Sequence, residues 1–182
     1  MTVTLASETL IPEGTWSIDP SHSTLEFAVR HLGIATVKGR ATGFTGTITG
    51  GTAPAVEGAV PVSSLTTFDE SRDGHLASPE FFDAERHPEL RFVSTSVAQD
   101  GDELVARGDL TIKGITRPVE LRGAVAGTGT DPWGNARLGL DLAGVIDRTD
   151  FDLGWNAPLP AGGFLLADDV PLAASFSAVK AA

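Results

Sequence analysis

The side chains of this chain best suited to bind a metal ion or to transfer protons are its four histidines: His22, His31, His75 and His87. They are far apart, and none has the His-x-His or His-x₃-His spacing that places two ligands on one side of a strand or helix. The chain also has no cysteine that could serve as a further ligand. The sequence therefore predicts no metal site.

Nucleophilic catalysis is the second kind of chemistry to consider, because Ser21 and Ser23 flank His22, and Asp19 lies close by. A working triad needs a serine, a histidine and an acid that converge in space, and neighbours along a turn or strand rarely do so. The sequence also lacks a Gly-x-Ser-x-Gly elbow and a glycine-rich phosphate loop. We therefore predict that the protein is not an enzyme. The alternative is a hydrolytic or lipid-modifying enzyme that uses His22 or His75 with nearby acids.

Two groups of opposite charges stand close together along the chain, at residues 72–75 and 146–148. They could form a polar gate at the mouth of a cavity, or salt bridges that hold a helical insertion in place. Charge clusters in loops are usually solvated or structural, so we favour the salt bridges.

The element that organises the rest of the chain is a predicted strand over residues 23–31. Its hydrophobicity alternates with a period of two, which places Leu25, Phe27, Val29 and His31 on one face. Successive side chains of a strand point to opposite faces, so this pattern predicts a half-buried strand with one apolar side.

Similar alternation recurs along most of the chain, with turn signals such as Asp100-Gly101 between the runs. About eight strands at these spacings are typical of an all-β sandwich or barrel. A polar stretch interrupts them near residues 70–87, where one or two short helices are predicted. Ser78-Pro79-Glu80 has the composition of a helix start.

Composition limits the class of protein. The 182 residues carry a net charge of −11, which argues against nucleic acid and against an anionic membrane surface as the main partner. No apolar run approaches the roughly 18 residues that span a bilayer, and residues 1–12 lack signal-peptide features. We therefore expect no membrane span and a cytoplasmic location; the alternative is a periplasmic or secreted location if a leader has been removed. Without a change in composition along the chain, we predict an N-terminal arm over 1–13 and one antiparallel β domain over 14–180.

The interior of such a domain could be filled or hollow. Its inward positions mix small residues, such as Gly108 and Ala174, with large ones, such as Phe92 and Phe176. This mixture suits a solid core, which would indicate an interaction module, and it equally suits a hollow that shelters an apolar chain. Periodicity alone does not separate the two interpretations.

Four blocks of sequence, spread over roughly residues 14–180, resemble the signature of the YceI-like family: IDPSHSTLEFAVRHLGIATVKG, SRDGHLASPEFFDAERHPELRFVSTSV, GDLTIKGITRPVEL and GVIDRTDFDLGWN. The resemblance implies a lipocalin-like antiparallel barrel with a long hydrophobic tunnel. It also implies a polyisoprenoid or fatty-acyl ligand in that tunnel, and usually a homodimer.

The apolar faces and the resemblance together predict a protein that binds, carries or sequesters a long apolar molecule inside a single β-barrel of about eight strands. We expect no cofactor apart from such a lipid, and a homodimer. Trp155 and Phe164 lie on a Gly- and Pro-rich connection and would act as a lid or as dimer contacts; the alternative is ordinary loop packing. The side chains expected to contact the ligand are Leu25, Phe27, Val29, His31, Phe44, Ile48, Phe92, Leu110, Ile112, Leu121, Trp155, Phe164 and Phe176.

Overall fold

The structure is a computed structural model that describes residues 9–182. Residues 1–8, which form most of the predicted N-terminal arm, lie outside the described part. The strands are β1 (Gly14–Ile18), β2 (Thr24–His31), β3 (Ala35–Ala41), β4 (Thr45–Gly50), β5 (Ala55–Pro61), β6 (Leu65–Thr66), β7 (Glu89–Asp100), β8 (Glu103–Ile112), β9 (Ile115–Thr130), β10 (Ala136–Asp147) and β11 (Asp169–Lys180). One α-helix, α1 (Glu70–Ala77), lies between β6 and β7.

The strands form an antiparallel barrel. Eight of them close on themselves in the order β1-β4-β5-β7-β8-β9-β10-β11, because β11 pairs with β10 on one edge and with β1 on the other. The remaining strands extend the sheet from the first half of β11, in the order β2-β3-β6. The predicted fold class, an antiparallel barrel of about eight strands, is confirmed.

The helical insertion is also confirmed near residues 70–87, but its helix begins earlier than the sequence suggested. Asp69 caps the start of α1 by accepting a hydrogen bond from the N–H of Arg72 (2.8 Å). Ser78 ends this helix, since its N–H donates to the carbonyl of His75 (3.1 Å). The prediction of a helix start at Ser78 is wrong, because Asp69 satisfies the free backbone amides of the polar stretch first.

One end of the barrel, called the base here, is filled by side chains. Ile11, Trp16 and Ile48 are buried in it. The indole N–H of Trp16 donates to the carbonyl of Pro12 (3.1 Å), which holds the segment before β1 against the base. A side chain at Gly50 would collide with the same carbonyl. The predicted boundary of the domain at residue 14 stays a prediction.

The opposite end, called the mouth, has a separate apolar cluster. Its buried members include Ile146, at the far end of β10 from the base, and Phe151 and Leu153 from the connection between β10 and β11. This connection (residues 148–168) and the helical insertion cover the mouth. Members of both clusters, such as Phe44 of the first and Ile146 of the second, line a cavity inside the barrel.

Candidate ligand cavity

An apolar cavity of about 230 Å³ lies inside the barrel. A buried water needs about 10–15 Å³ of such space, so this cavity is many times larger than a packing defect. Its walls are almost entirely aliphatic and aromatic side chains, which favour an apolar occupant over water.

The structure brings most of the predicted ligand-contact residues together on these walls. On β2, Leu25, Phe27 and Val29 point into the cavity, in agreement with the period-two pattern. The predicted residues that line the cavity are Leu25, Phe27, Val29, Phe44, Phe92, Leu110, Ile112, Leu121 and Phe176. That they contact a ligand stays a prediction.

The other predicted residues lie away from the cavity, each for a different reason. Ile48 is buried in the base, and His31 pairs with Leu166 of the connection in an isolated β-bridge. Trp155 packs against the helical insertion, and Phe164 is 64% exposed. Alternation carries no information on how far along the barrel a residue lies.

Two glycines keep the cavity open by letting phenylalanine rings lie against the wall. Gly39 of β3 is the register partner of Phe27, and a side chain at Gly39 would overlap the Phe27 ring. Gly108 of β8 lies under the ring of Phe92 in the same way. A glycine in a strand allows such a close approach, so each ring covers the neighbouring backbone and leaves the lumen free.

The helical insertion is tied to β6 by a network around Asp73. The carboxylate accepts hydrogen bonds from the N–H and the hydroxyl of Thr67 (2.7 and 2.6 Å) and from the hydroxyl of Thr66 (2.8 Å). Arg72 donates from Nε to the Thr67 hydroxyl (2.7 Å). Burial would raise the pKa of Asp73, but the hydrogen bonds from Thr67 and Thr66 and the charge of Arg72 lower it on balance.

A second anchor, Arg148, holds the connection over the mouth. The residue is 4% exposed, and its side chain donates to the carbonyls of Ala167, Leu153 and Trp155 and to the carboxylate of Asp168 (2.8 Å). Buried charges need such pairing, because an unpaired ion in an apolar site is costly. Both predicted charge groups therefore act as structural anchors rather than as a polar gate.

Aromatic contacts join the two covers of the mouth. The His75 ring packs edge-to-face on Trp155 of the connection, at a centroid distance of 4.8 Å, and on Phe81 of the insertion, at 5.0 Å. His75 Nε2 also lies 2.7 Å from a carboxylate oxygen of Glu80. Because Phe81 lines the cavity, this cluster connects the cavity wall to the exposed surface.

Comparison with known proteins places the chain in a family. A sequence model of the YceI-like domain matches residues 16–178. The chain belongs to the YceI-like family. Protein YceI of Escherichia coli O157:H7 is 38% identical over 136 residues, which cover 72% of this chain and 71% of that protein. A UPF0312 protein of Pectobacterium atrosepticum is 36% identical over 152 residues, which cover 81% of this chain and 79% of the relative.

Solved structures share the fold of this YceI-like protein. Burkholderia cenocepacia BcnA superimposes with a TM-score of 0.74 at 22% identity, over 90% of this chain and 99% of BcnA. A polyisoprenoid binding domain from Saccharophagus degradans superimposes with a TM-score of 0.66 at 15% identity, over 93% of this chain and all of that domain (100%). These likenesses confirm the barrel architecture that the resemblance implied.

His22, one of the two histidines named in the alternative interpretation, does not have the contacts of a catalytic triad. Both the Ser21 hydroxyl (3.0 Å) and the Asp19 carboxylate (2.8 Å) contact the same His22 nitrogen, Nδ1. A triad instead needs the serine on one ring nitrogen and the acid on the other. Among residues 9–182, no cluster of three or more His, Asp or Glu side chains has an arrangement that could hold a metal ion.

Some residues that line the cavity lie outside the predicted strands and were not predicted from the sequence. Leu76 of α1 and the pair Phe81 and Phe82 line the cavity from the insertion, and Leu153 does so from the connection. The adjacent phenylalanines inside a polar stretch were the available signal, because large apolar residues there need a buried partner.

Proposed function

We propose that this YceI-like protein binds a long apolar molecule of the polyisoprenoid or fatty-acyl type inside its barrel and acts as a carrier or sequestering protein rather than as an enzyme. The observation that carries the proposal is the closed barrel with an apolar cavity of about 230 Å³ between two packed clusters. The solved neighbour described as a polyisoprenoid binding domain supports it through the shared fold.

Burial of hydrocarbon supplies enough free energy for such binding. Each CH₂ that leaves water contributes about 0.8 kcal/mol, so about 15 of them contribute about 12 kcal/mol. With an association cost of about 4 kcal/mol, the low end of its range, the remaining free energy of about 8 kcal/mol corresponds to a dissociation constant of about 1 μM. The ligand needs no hydrogen bond to the cavity wall to bind at this level.

The proposal assigns no reacting group to the protein. Arg148 is a buried cation at the cavity, and its hydrogen bonds go to backbone carbonyls and to Asp168. No helix within the described residues has the length and hydrophobicity needed to cross a bilayer. The cytoplasmic location and the homodimer stay predictions.

Native mass spectrometry with solvent extraction of the purified protein tests the proposal, and adjacent alanines of β11 supply a matched pair of variants. Ala174 lines the cavity, whereas Ala173 faces outward. We expect the wild type and Ala173→Phe to carry or take up a long-chain apolar molecule. The new side chain of Ala174→Phe fills part of the cavity, so this variant should not bind the apolar molecule. A wild type that neither carries nor takes up such a molecule would defeat the proposal, as would an Ala174→Phe variant that binds like the wild type.

A further inference from the structure

Two stretches of this acidic protein contain no Asp or Glu: residues 27–56 and 153–167. The chain as a whole has 24 acidic residues and 13 Lys and Arg. The negative charge is therefore concentrated elsewhere, and these stretches have a different surface chemistry from the rest of the molecule.

The fold joins the two stretches at the turn between β2 and β3. The N–H of Leu32 donates to the carbonyl of Leu165 (2.8 Å), and the N–H of Ala167 donates to the carbonyl of Arg30 (3.1 Å). The side-chain amide of Asn156 fixes the connection by bonding both backbone groups of Leu166 (2.8 and 2.9 Å). The turn and the connection therefore form one continuous surface.

This surface exposes large apolar side chains. Ile34 is 79% exposed, Phe164 64% and Leu32 42%. Leu32 also has a φ of 56°, in the left-handed region that hairpin turns usually fill with Asn, Asp or Gly. The turn thus holds an exposed leucine at a position where a small polar residue would be less strained. Exposed apolar groups of this kind mark interaction sites.

Cations lie on the two strands that this turn joins, and Arg30 contacts the turn itself through Gly33 and Thr36. Arg30, Lys38 and Arg40 are exposed on the outer face of β2 and β3. Arg40 lies over the ring of exposed Phe68, at 5.2 Å from its centroid, and Glu26 is the acidic residue opposite Arg40 in the register. Arg40 lies at the end of β3 away from the turn, so we call the surface formed by Leu32, Ile34, Phe164, Arg30 and Lys38 the docking surface.

We propose that the docking surface binds the headgroup region of an anionic lipid bilayer. Apolar side chains enter the boundary between headgroups and acyl chains, and each nearby Lys or Arg adds attraction to anionic lipid. The acidic residues that give the net charge of −11 lie mostly elsewhere on the molecule. At 0.1 M salt, charges more than about 10 Å from the membrane are largely screened, so these acidic residues oppose binding only weakly. Close to the membrane the local cations dominate.

A second copy of the chain fits this surface less well than a bilayer does. A two-fold dimer places the same patch against itself, so the cations of one copy would face those of the other. The position relative to the cavity also favours a membrane, because Val29, two residues before His31 at the end of β2, lines the cavity. Docking would hold the cavity end of the barrel close to a source of apolar chains.

Flotation of the full chain with vesicles tests the proposal, with vesicles of equal parts phosphatidylglycerol and phosphatidylcholine compared with pure phosphatidylcholine. We expect binding to the anionic vesicles that weakens at high salt. The Ile34→Ser, Phe164→Ser double variant should bind at least about tenfold more weakly, because it loses two apolar insertions. Lys38→Gln should bind these vesicles about fivefold more weakly, because one cation near the membrane surface contributes about that factor to the affinity.

The matched control is Trp133→Ser, because Trp133 is 82% exposed at the β9–β10 turn and lies outside the docking surface. It should bind vesicles like the wild type. Ala174→Phe should also bind normally, so that a failure of ligand binding and a failure of docking are observed separately. The proposal is overturned if wild-type protein does not float with anionic vesicles, if Trp133→Ser weakens flotation as much as the double variant, or if the double variant instead abolishes a dimer in solution.

Discussion

At the scale of single residues, the ring of Phe27 decides how much of the lumen is free. We predict that Gly39→Ala lowers the affinity for an apolar ligand by about tenfold, because the new methyl group pushes the Phe27 ring into the cavity. The free energy of unfolding should fall by about 1 kcal/mol, at the low end for overpacking, since the ring has empty space to enter. Displacement of a hydrophobic dye and urea denaturation measure the two effects.

Gly129→Ala is the control for this change. Gly129 lies in β9, and apart from its chain neighbours no atom of residues 9–182 lies within 4 Å of the position that a side chain would take there. Its affinity for the dye should equal that of the wild type. Normal dye binding by Gly39→Ala would show that the Phe27 ring does not form the cavity wall.

The same residues show what the sequence can and cannot predict about the site. The alternation of β2 was sufficient to place Leu25, Phe27 and Val29 on one inner face, because a strand has a fixed period. It could not separate Phe44, at the cavity, from Ile48, in the base, although both belong to one face. Whether an inward residue meets the cavity or the packed base depends on which side chains of other strands lie at the same level along the barrel axis. The pairing of strands that are distant in sequence determines those neighbours.

At the scale of elements, the helical insertion covers one end of the cavity, and the carboxylate of Asp73 ties it to Thr66 and Thr67. We predict that Asp73→Ala lowers the local stability of the insertion by about 1–3 kcal/mol, because the Thr67 N–H and hydroxyl lose their acceptor. A cover that opens more often releases ligand faster, so the dissociation rate of a bound dye should rise at least about fivefold. Stopped-flow fluorescence and hydrogen exchange at residues 70–77 measure this.

Two variants separate the network from a general effect of charge. Asp73→Asn can keep an acceptor for Thr67 and should lie between the wild type and Asp73→Ala. Glu85→Ala removes an exposed carboxylate of the same insertion and should release dye at the wild-type rate. If Glu85→Ala accelerates release as much as Asp73→Ala does, the network around Asp73 does not hold the cover.

The sequence predicted elements with regular periodicity better than those without it. Strands with clear alternation and a turn signal, such as β7 and β8 around Asp100-Gly101, were found because both signals are local. The predicted start of the helix, at Ser78, lay several residues after the observed start, because Ser78 and Asp69 are equally acceptable N-cap residues in the sequence. Trp155 has no periodic context, and its place beside His75 depends on the anchor at Arg148.

At the scale of the whole molecule, acid should unfold the protein through carboxylates that join distant parts of the chain. Arg137 contacts two carboxylates. One belongs to Asp19, between β1 and β2 (2.7 Å), and the other to Asp131, in the β9–β10 turn (3.2 Å). Hydrogen bonds from Ser21, Arg137 and His22 hold the pKa of Asp19 far below its usual range. The amide of Asn135 and then Arg137 lower the pKa of Asp131 from 3.8 to about 2.

These shifts fix the sign of the pH dependence. A carboxylate whose pKa is lower in the folded state stabilises the fold above its unfolded pKa, and this stability is lost as pH falls through the folded value. We predict that the free energy of unfolding is nearly constant above about pH 5 and decreases steeply between about pH 4 and pH 2. Arg137→Gln should flatten this decrease, because it removes the cation shared by Asp19 and Asp131.

Arg117→Gln, which removes an exposed arginine bonded to the carbonyl of Thr116, should keep the wild-type profile in urea denaturation at each pH. A wild type that becomes more stable between pH 4 and pH 2 would contradict the sign of these shifts.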